Sequence, residues 1–255
     1  MENIVTVFRN VQMELMRPGQ VRDALSAKSV VFIPIGALEF HQEHLPLGLD
    51  TLNAHGLTCL TASRFGGIVV PPLYYGTGGS HKNYPWTIMM DGDVEIRAQL
   101  EKTLSRLEEF GVELAVIFTG HFAPEQLEMI SSIATNWSHS SKRMKVVDLA
   151  INMPLESAPS PDHAGVFETT VLSRFEPETI DLSKLPSIAE APAIDPDGDP
   201  YGLHRHDPAH VLWGVFGPDP RNFDPAQADS LTLRISDAIE REVKAALAGQ
   251  FLPRT

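Results

Sequence analysis

Residues 30–50 read Val30-Val31-Phe32-Ile33-Pro34-Ile35-Gly36-Ala37-Leu38-Glu39-Phe40-His41-Gln42-Glu43-His44-Leu45-Pro46-Leu47-Gly48-Leu49-Asp50. The first six residues form a short apolar run closed by Gly36, which suits a strand buried on both faces better than an amphipathic helix. Similar runs at residues 67–70, 114–118 and 144–149 are rich in β-branched residues and bounded by glycine or polar residues. Helical patterns lie between them. Asp50 can cap a helix running to about Phe65. Asp93 opens a run with apolar Val94, Ile96, Leu100, Leu104 and Leu107 that ends before Gly111, and Pro124 begins a third helix from Glu125 to about Ser138. Strands alternating with helices predict an α/β fold with a mainly parallel sheet covered on both faces, because parallel neighbours need crossovers. Functional groups are then expected at the carboxyl ends of the strands.

Further along, residues 177–225 change character. Pro, Asp and Gly cluster at residues 193–200, which reads as turns in a long insertion. An amphipathic pattern over residues 226–248, with Leu231, Leu233, Ile235, Ile239 and Val243, closes the chain. The whole of residues 1–255 reads as one domain of ordinary globular composition, 43% hydrophobic and 21% charged.

A net charge of -13, from 20 basic and 33 acidic residues, argues against nucleic acid or an anionic membrane as partner and for a small-molecule substrate. No segment approaches the roughly 20 apolar residues of a membrane helix, and the N-terminus lacks a basic start followed by an apolar stretch, so a cytoplasmic location is expected. The single cysteine, Cys59, lies in an apolar-rich run and reads as a buried core thiol.

The chemistry concentrates after the first strand. If the chain stays extended there, Glu39 and His41 point to one side, because side chains alternate along a strand. Asp50 can fold back toward the same pocket. Carboxylate with imidazole suits zinc, manganese or iron(II), and a carboxylate can bridge two such ions. A solvated loop is the plain alternative for this segment alone, but the strand at residues 114–118 runs into Thr119-Gly120-His121 and brings a second histidine to the same sheet edge.

Taken in order, GALEFHQEHLPLGLD (residues 36–50), TGHFAPEQ (residues 119–126) and DHAGVFETTVL (residues 162–172) resemble three signature segments of the creatininase (creatinine amidohydrolase) family. The likeness spans roughly residues 27–175, with a weaker echo at residues 213–220. It implies a three-layer α/β/α fold, a dinuclear metal centre, hydrolysis of a cyclic amide or related C–N bond, and a homo-oligomer, often a hexamer. Carried over by position, Glu39 and His41 match the first two ligands, Asp50 the bridging carboxylate, His121 the second histidine, and His163 a residue that moves protons.

One position departs from the resemblance: creatininase takes a further ligand from a glutamate two residues after its second histidine, where this chain has Ala123. Glu168 is the expected replacement, ahead of Glu125, which sits near a helix N-terminus where a carboxylate is stabilised in any case. Creatininase closes over creatinine with tryptophans, whereas the corresponding region here holds only Trp137, which puts creatinine itself in doubt. Residues 76–87 match a family loop lining the site, so His81, Tyr84 and Trp86 are expected substrate contacts, with an oligomer contact as the alternative.

His204, His206 and His210 form a rival histidine cluster, but no periodic element fixes them, and they read as loop or substrate-side residues, with a subunit-interface contact as the alternative. The acidic turn at residues 195–199 lacks the length and closing glutamate of an EF-hand loop and reads as solvated. The expected cofactors are two divalent ions, zinc first, with manganese or iron(II) as alternatives. They would activate water, with His163 delivering a proton to the leaving group. Two other readings remain open: a hydrolase opening a cyclic ketone such as an oxidised inositol by C–C cleavage, and a non-catalytic metal or small-ligand binding subunit.

Overall fold

The computed structural model describes residues 8–155, 158–199 and 202–250. In chain order the strands are β1 (Val30–Ile35), β2 (Ile68–Val69), β3 (Gly76–Thr77), β4 (Met89–Met90), β5 (Leu114–Thr119) and β6 (Lys145–Ala150). The α-helices are α1 (Pro18–Ala27), α2 (Leu49–Phe65), α3 (Val94–Glu109), α4 (Pro124–Ser138), α5 (Val166–Phe175) and α6 (Ala228–Leu247). Strands β2-β1-β5-β6, in that order, form an all-parallel sheet, and β3 pairs with β4 separately.

Alternation along the strands divides the sheet's two faces. Val30, Phe32, Val116, Phe118, Val147 and Leu149 face a core completed by α2, α5 and α6, while Val31, Ile33, Ile35, Ala115, Ile117 and Val146 face a core completed by α1, α3 and α4. The result is the expected three-layer α/β/α arrangement, with Cys59 buried in the first core. Pro34 is tolerated inside β1 because its side of the strand faces β2, which ends before reaching it. There the Pro34 carbonyl accepts the Leu73 N–H instead, and the β5 side keeps its ladder.

Ile35 pairs in register with Thr119, and Thr119 with Ala150, so the three strands end at one level. The segments carrying Glu39, His41 and His121 leave from that edge. The expected Asp50 cap is not found: α2 begins at Leu49 with Gly48 at its N-cap, and no side chain caps it. The Asp50 carboxylate lies in the first turn and turns inward, 2% exposed.

The insertion consists of 3-10 turns, including Pro177–Thr179, Leu203–His206 and Pro220–Asn222. It is anchored by a third apolar cluster in which Leu212 and Val215 pack on Leu45, Leu49, Ala164 and Leu172. No described helix is long and apolar enough to cross a membrane.

Candidate metal centre

Asp50 stands at the middle of the sheet edge with its two carboxylate oxygens facing different histidines. Oδ1 is 3.2 Å from Nε2 of His41, and Oδ2 is 3.3 Å from Nδ1 of His121. Glu39 closes one side, its Oε2 2.8 Å from Nδ1 of His121, and Glu168 closes the other, its Oε2 3.5 Å from Nε2 of His41. Two donor sets therefore share Asp50: Glu39, Asp50 and His121, and His41, Asp50 and Glu168, each with ligand atoms within 4.8 Å of one another.

Each side chain has a structural reason to be there. Glu39 and His41 follow β1 on an extended segment, and the Glu39 carbonyl fixes the His41 ring through Nδ1 at 2.9 Å, leaving Nε2 for the cage. His121 follows β5, where the Thr119 hydroxyl donates to its carbonyl oxygen. Glu168 lies in the first turn of α5, and its Oε2 accepts the Ala164 N–H at 2.7 Å. Asp162, which sequence reasoning passed over, accepts the Phe167 and Glu168 N–H groups and so sets the start of α5. Its only local signal is an aspartate a few residues ahead of a helix. Burial pushes its carboxyl up to about 6, against the pull of those backbone donors.

The donor set fits divalent cations. Glu39 Oε2, Asp50 Oδ2 and His41 Nε2 are buried without a hydrogen-bond partner, although charged neighbours lie close by. Their lone pairs converge on shared space, and buried charges left so are costly without a cation or a well-aligned partner. Burial works against charge on Glu39, but the positive field of His121, together with the hydrogen bonds from His121 and His81, holds its carboxyl well below the usual range. Burial likewise opposes charge on His41, yet Asp50, followed by Glu168 and Glu39, raises it to about 10. Burial pushes Glu168 well above the carboxylate range, with Asp50 and Asp162 adding to the effect against His41. In the absence of metal, Glu39 and Asp50 hold the imidazoles of His41 and His121 charged and are held charged by them, while the Glu168 carboxyl keeps its proton.

His163 stacks between His41, at 4.3 Å between ring centroids, and His81, at 4.0 Å. Its Nε2–H donates to the Phe40 carbonyl at 3.0 Å, so the free lone pair is on Nδ1. Burial, then the positive neighbours His41 and His81, hold its pKa well below the ordinary imidazole value. His81 is buried, with Nδ1 3.0 Å from Oε1 of Glu39. Tyr84 stacks on Trp213 and shares a 2.6 Å hydrogen bond with Nδ1 of His206. Trp86 stands apart, 82% exposed and with a left-handed backbone (φ 62).

Glu125 lies outside both donor sets. Its Oε2 accepts the Gly79 N–H at 3.2 Å and holds the loop before His81. His204 and His210 gather around Asp195, and those three side chains are close enough to suggest another cation site. The hydrogen bonding argues otherwise. Leu212 N–H donates to Nδ1 of His210, so the His210 ring proton is on Nε2, the nitrogen facing Asp195, and it offers a cation no lone pair. The Arg205 guanidinium also grips both oxygens of Asp195 and holds its carboxyl down at about 2.

A parallel sheet with paired carboxylate and imidazole donors at its carboxyl edge is the arrangement with which a metal-dependent hydrolase holds its cations. The sequence narrows that class further, since the profile of one family, described as creatinine amidohydrolase, matches residues 14–243. The chain belongs to the creatininase family.

Creatinine amidohydrolase of Pseudomonas putida is 27% identical over 205 residues, covering 71% of this chain and 76% of that protein. Mycofactocin precursor peptide peptidase of Mycolicibacterium smegmatis is 26% identical over 187 residues, covering 68% and 69%. A crystal structure of creatininase superposes with a TM-score of 0.73 at 22% identity, over 96% of this chain and 99% of that one. A mutant creatininase of Zn-Zn type gives 0.72 at 21% identity, over 93% and 98%. The fold is therefore shared along nearly the whole chain, well beyond the span suggested by the sequence motifs.

Proposed function

We propose that this chain uses Glu39, His41, Asp50, His121 and Glu168 to hold two divalent cations and hydrolyses a small cyclic amide or similar C–N bond. The observation that carries the reading is the division of the Asp50 oxygens between His41 and His121. Cations held there would supply Lewis acidity to a carbonyl oxygen and to a water nucleophile. Zinc is the first choice, with manganese or iron(II) as alternatives; solved relatives are described as Zn-Zn and Mn forms.

The protein's own groups do the positioning and proton movement. Glu168 supplies the carboxylate that Ala123 cannot, held by the Ala164 N–H. His163 presents the lone pair of Nδ1 beside the cage and carries a proton to the departing nitrogen; its lowered pKa keeps that lone pair free at rest and makes it a ready donor once a proton has been taken up. His81, Tyr84 and Trp86 are assigned to the substrate side, with His81 and Tyr84 in the aromatic wall beside His163. Membership of the family supports a homo-oligomer, and a cytoplasmic location completes the reading.

The test is turnover of a panel of cyclic amides, cyclic ketones and short peptides by the purified chain with added zinc or manganese. Peptides belong in the panel because one relative is a peptide peptidase. Metal-dependent opening of a cyclic amide is the expected result. Turnover of cyclic ketones or peptides alone would overturn the bond assignment, and binding without product would overturn catalysis.

A further inference from the structure

Arg205 is the largest side chain buried almost completely among the described residues, 1% exposed, and it lies outside the metal cage. Its donors spread over three partners. Nε and Nη2 grip the Asp195 carboxylate at 2.8 and 2.6 Å, while Nη1 donates to the carbonyl oxygens of Val215 at 2.9 Å and Gly217 at 3.0 Å. His204 adds a third bond to Asp195 at 2.7 Å, and the Arg205 carbonyl accepts the Gly214 N–H. A planar five-donor fork can join a carboxylate and two main-chain carbonyls in this way; a lysine cannot.

The segment held by this fork forms one wall of the site. Between the two clamped carbonyls, Phe216 exchanges both backbone hydrogen bonds with His163. The Phe216 ring lies 5.1 Å from His81 and 4.5 Å from His206. Just upstream, Trp213 packs 5.0 Å from both Phe40 and Tyr84, and its carbonyl accepts from Gln42 Nε2 at 2.9 Å. The chain gives this loop no long helix or strand, so its shape depends on such ties.

We propose that Arg205 is a positioning residue for the active site: through Asp195 and the carbonyls of Val215 and Gly217 it fixes the wall of His206, Trp213 and Phe216 against His81 and His163. The wall presents ring faces and imidazoles without a free carboxylate, which suits a flat, neutral or anionic group. The residue touches neither the cage nor the reacting atoms. That the wall borders a catalytic site rests on the hydrolase reading; the clamp itself does not.

The test uses Arg205→Met and Arg205→Lys. Trp213 emission is read in a Trp86→Phe, Trp137→Phe background, and zinc content is measured on each variant. Arg205→Lys keeps the charge beside Asp195 but cannot reach both carbonyls, so it decides the matter if the methionine variant does not fold. Both variants are expected to keep the zinc content of the parent chain while Trp213 emission moves to the red and acrylamide quenches it more strongly. On the best substrate of the panel, Arg205→Lys should lose about 100-fold in kcat/KM, with KM carrying most of the change, as misplacement of a distant wall does. Added methylguanidinium should restore Trp213 emission in Arg205→Ala. Unchanged Trp213 emission in the lysine variant, or zinc lost in step with it, would overturn the proposal. A parent chain that binds no zinc would instead overturn the hydrolase reading and leave the emission experiment standing.

Discussion

A Cβ on Gly120 would stand 1.9 Å from the carbonyl oxygen of Asp50. The end of β5 and the first turn of α2 meet there with no room for a side chain. Gly36 makes the same kind of contact from β1, where a Cβ would lie 2.4 Å from the Thr51 nitrogen. Two glycines at adjacent strand ends thus let the helix carrying Asp50 enter the sheet edge. Both neighbours are backbone and cannot swing aside, so Gly120→Ala should cost at least about 1–3 kcal/mol of stability. It should also lower metal content, read by melting temperature and metal analysis together. A stable variant with full metal content would show that Asp50 does not need that approach.

Glu168 and Glu125 can be separated by their different tasks. Glu168→Gln removes from the set with His41 and Asp50 a carboxyl that can ionise against a cation, and should lower metal content to about half of the wild-type value. Glu125→Gln leaves the cage intact and loosens only the loop at Gly79. Metal analysis of both variants checks this, and a deficit confined to Glu125→Gln would reverse the assignment.

The pH dependence of the metal-free chain follows from His41. Its folded pKa, about 10, is above the unfolded value of 6.5, so the folded state holds the proton more tightly. That contribution to stability is complete below about pH 6.5 and is lost as pH rises through about 10. The metal-free chain should therefore melt at a lower temperature at pH 10 than at pH 7. Zinc binding near pH 8 should release protons, because the cation requires the neutral ring. Calorimetry in buffers of different ionisation enthalpy reads that release, and the absence of any release would contradict the charged His41–Asp50 pair.

Trp86 combines a left-handed backbone with an exposed ring, a combination that costs a bulky residue roughly 1–3 kcal/mol. Trp86→Gly should keep the metal content and should not lower the melting temperature. If Trp86 contacts substrate, KM rises in this variant; an unchanged KM would remove Trp86 from the substrate side.

The layered fold was legible because β1, β5 and β6 are apolar runs and α3, α4 and α6 keep a helical period. Helix α5 was not read as a helix, since its short stretch is buried nearly all round and shows no amphipathic stripe. The cage was legible where chemistry sits at strand ends, as with His41 and His121. The Asp50 carboxylate turns toward the pocket as the sequence suggested, but it does not also cap α2, whose N-cap is Gly48. Asp162 and the Arg205 clamp were hidden because each acts on backbone groups that only folding brings near, and no local pattern records such a partner.

The central claim is that one carboxylate, Asp50, joins two cation sites. Metal content per chain, measured on the wild-type protein and on Asp50→Asn after loading with zinc, tests it most directly. About two ions per wild-type chain and nearly complete loss from both sites in Asp50→Asn are the predicted result. Full occupancy in Asp50→Asn, or loss of only one ion, would contradict it.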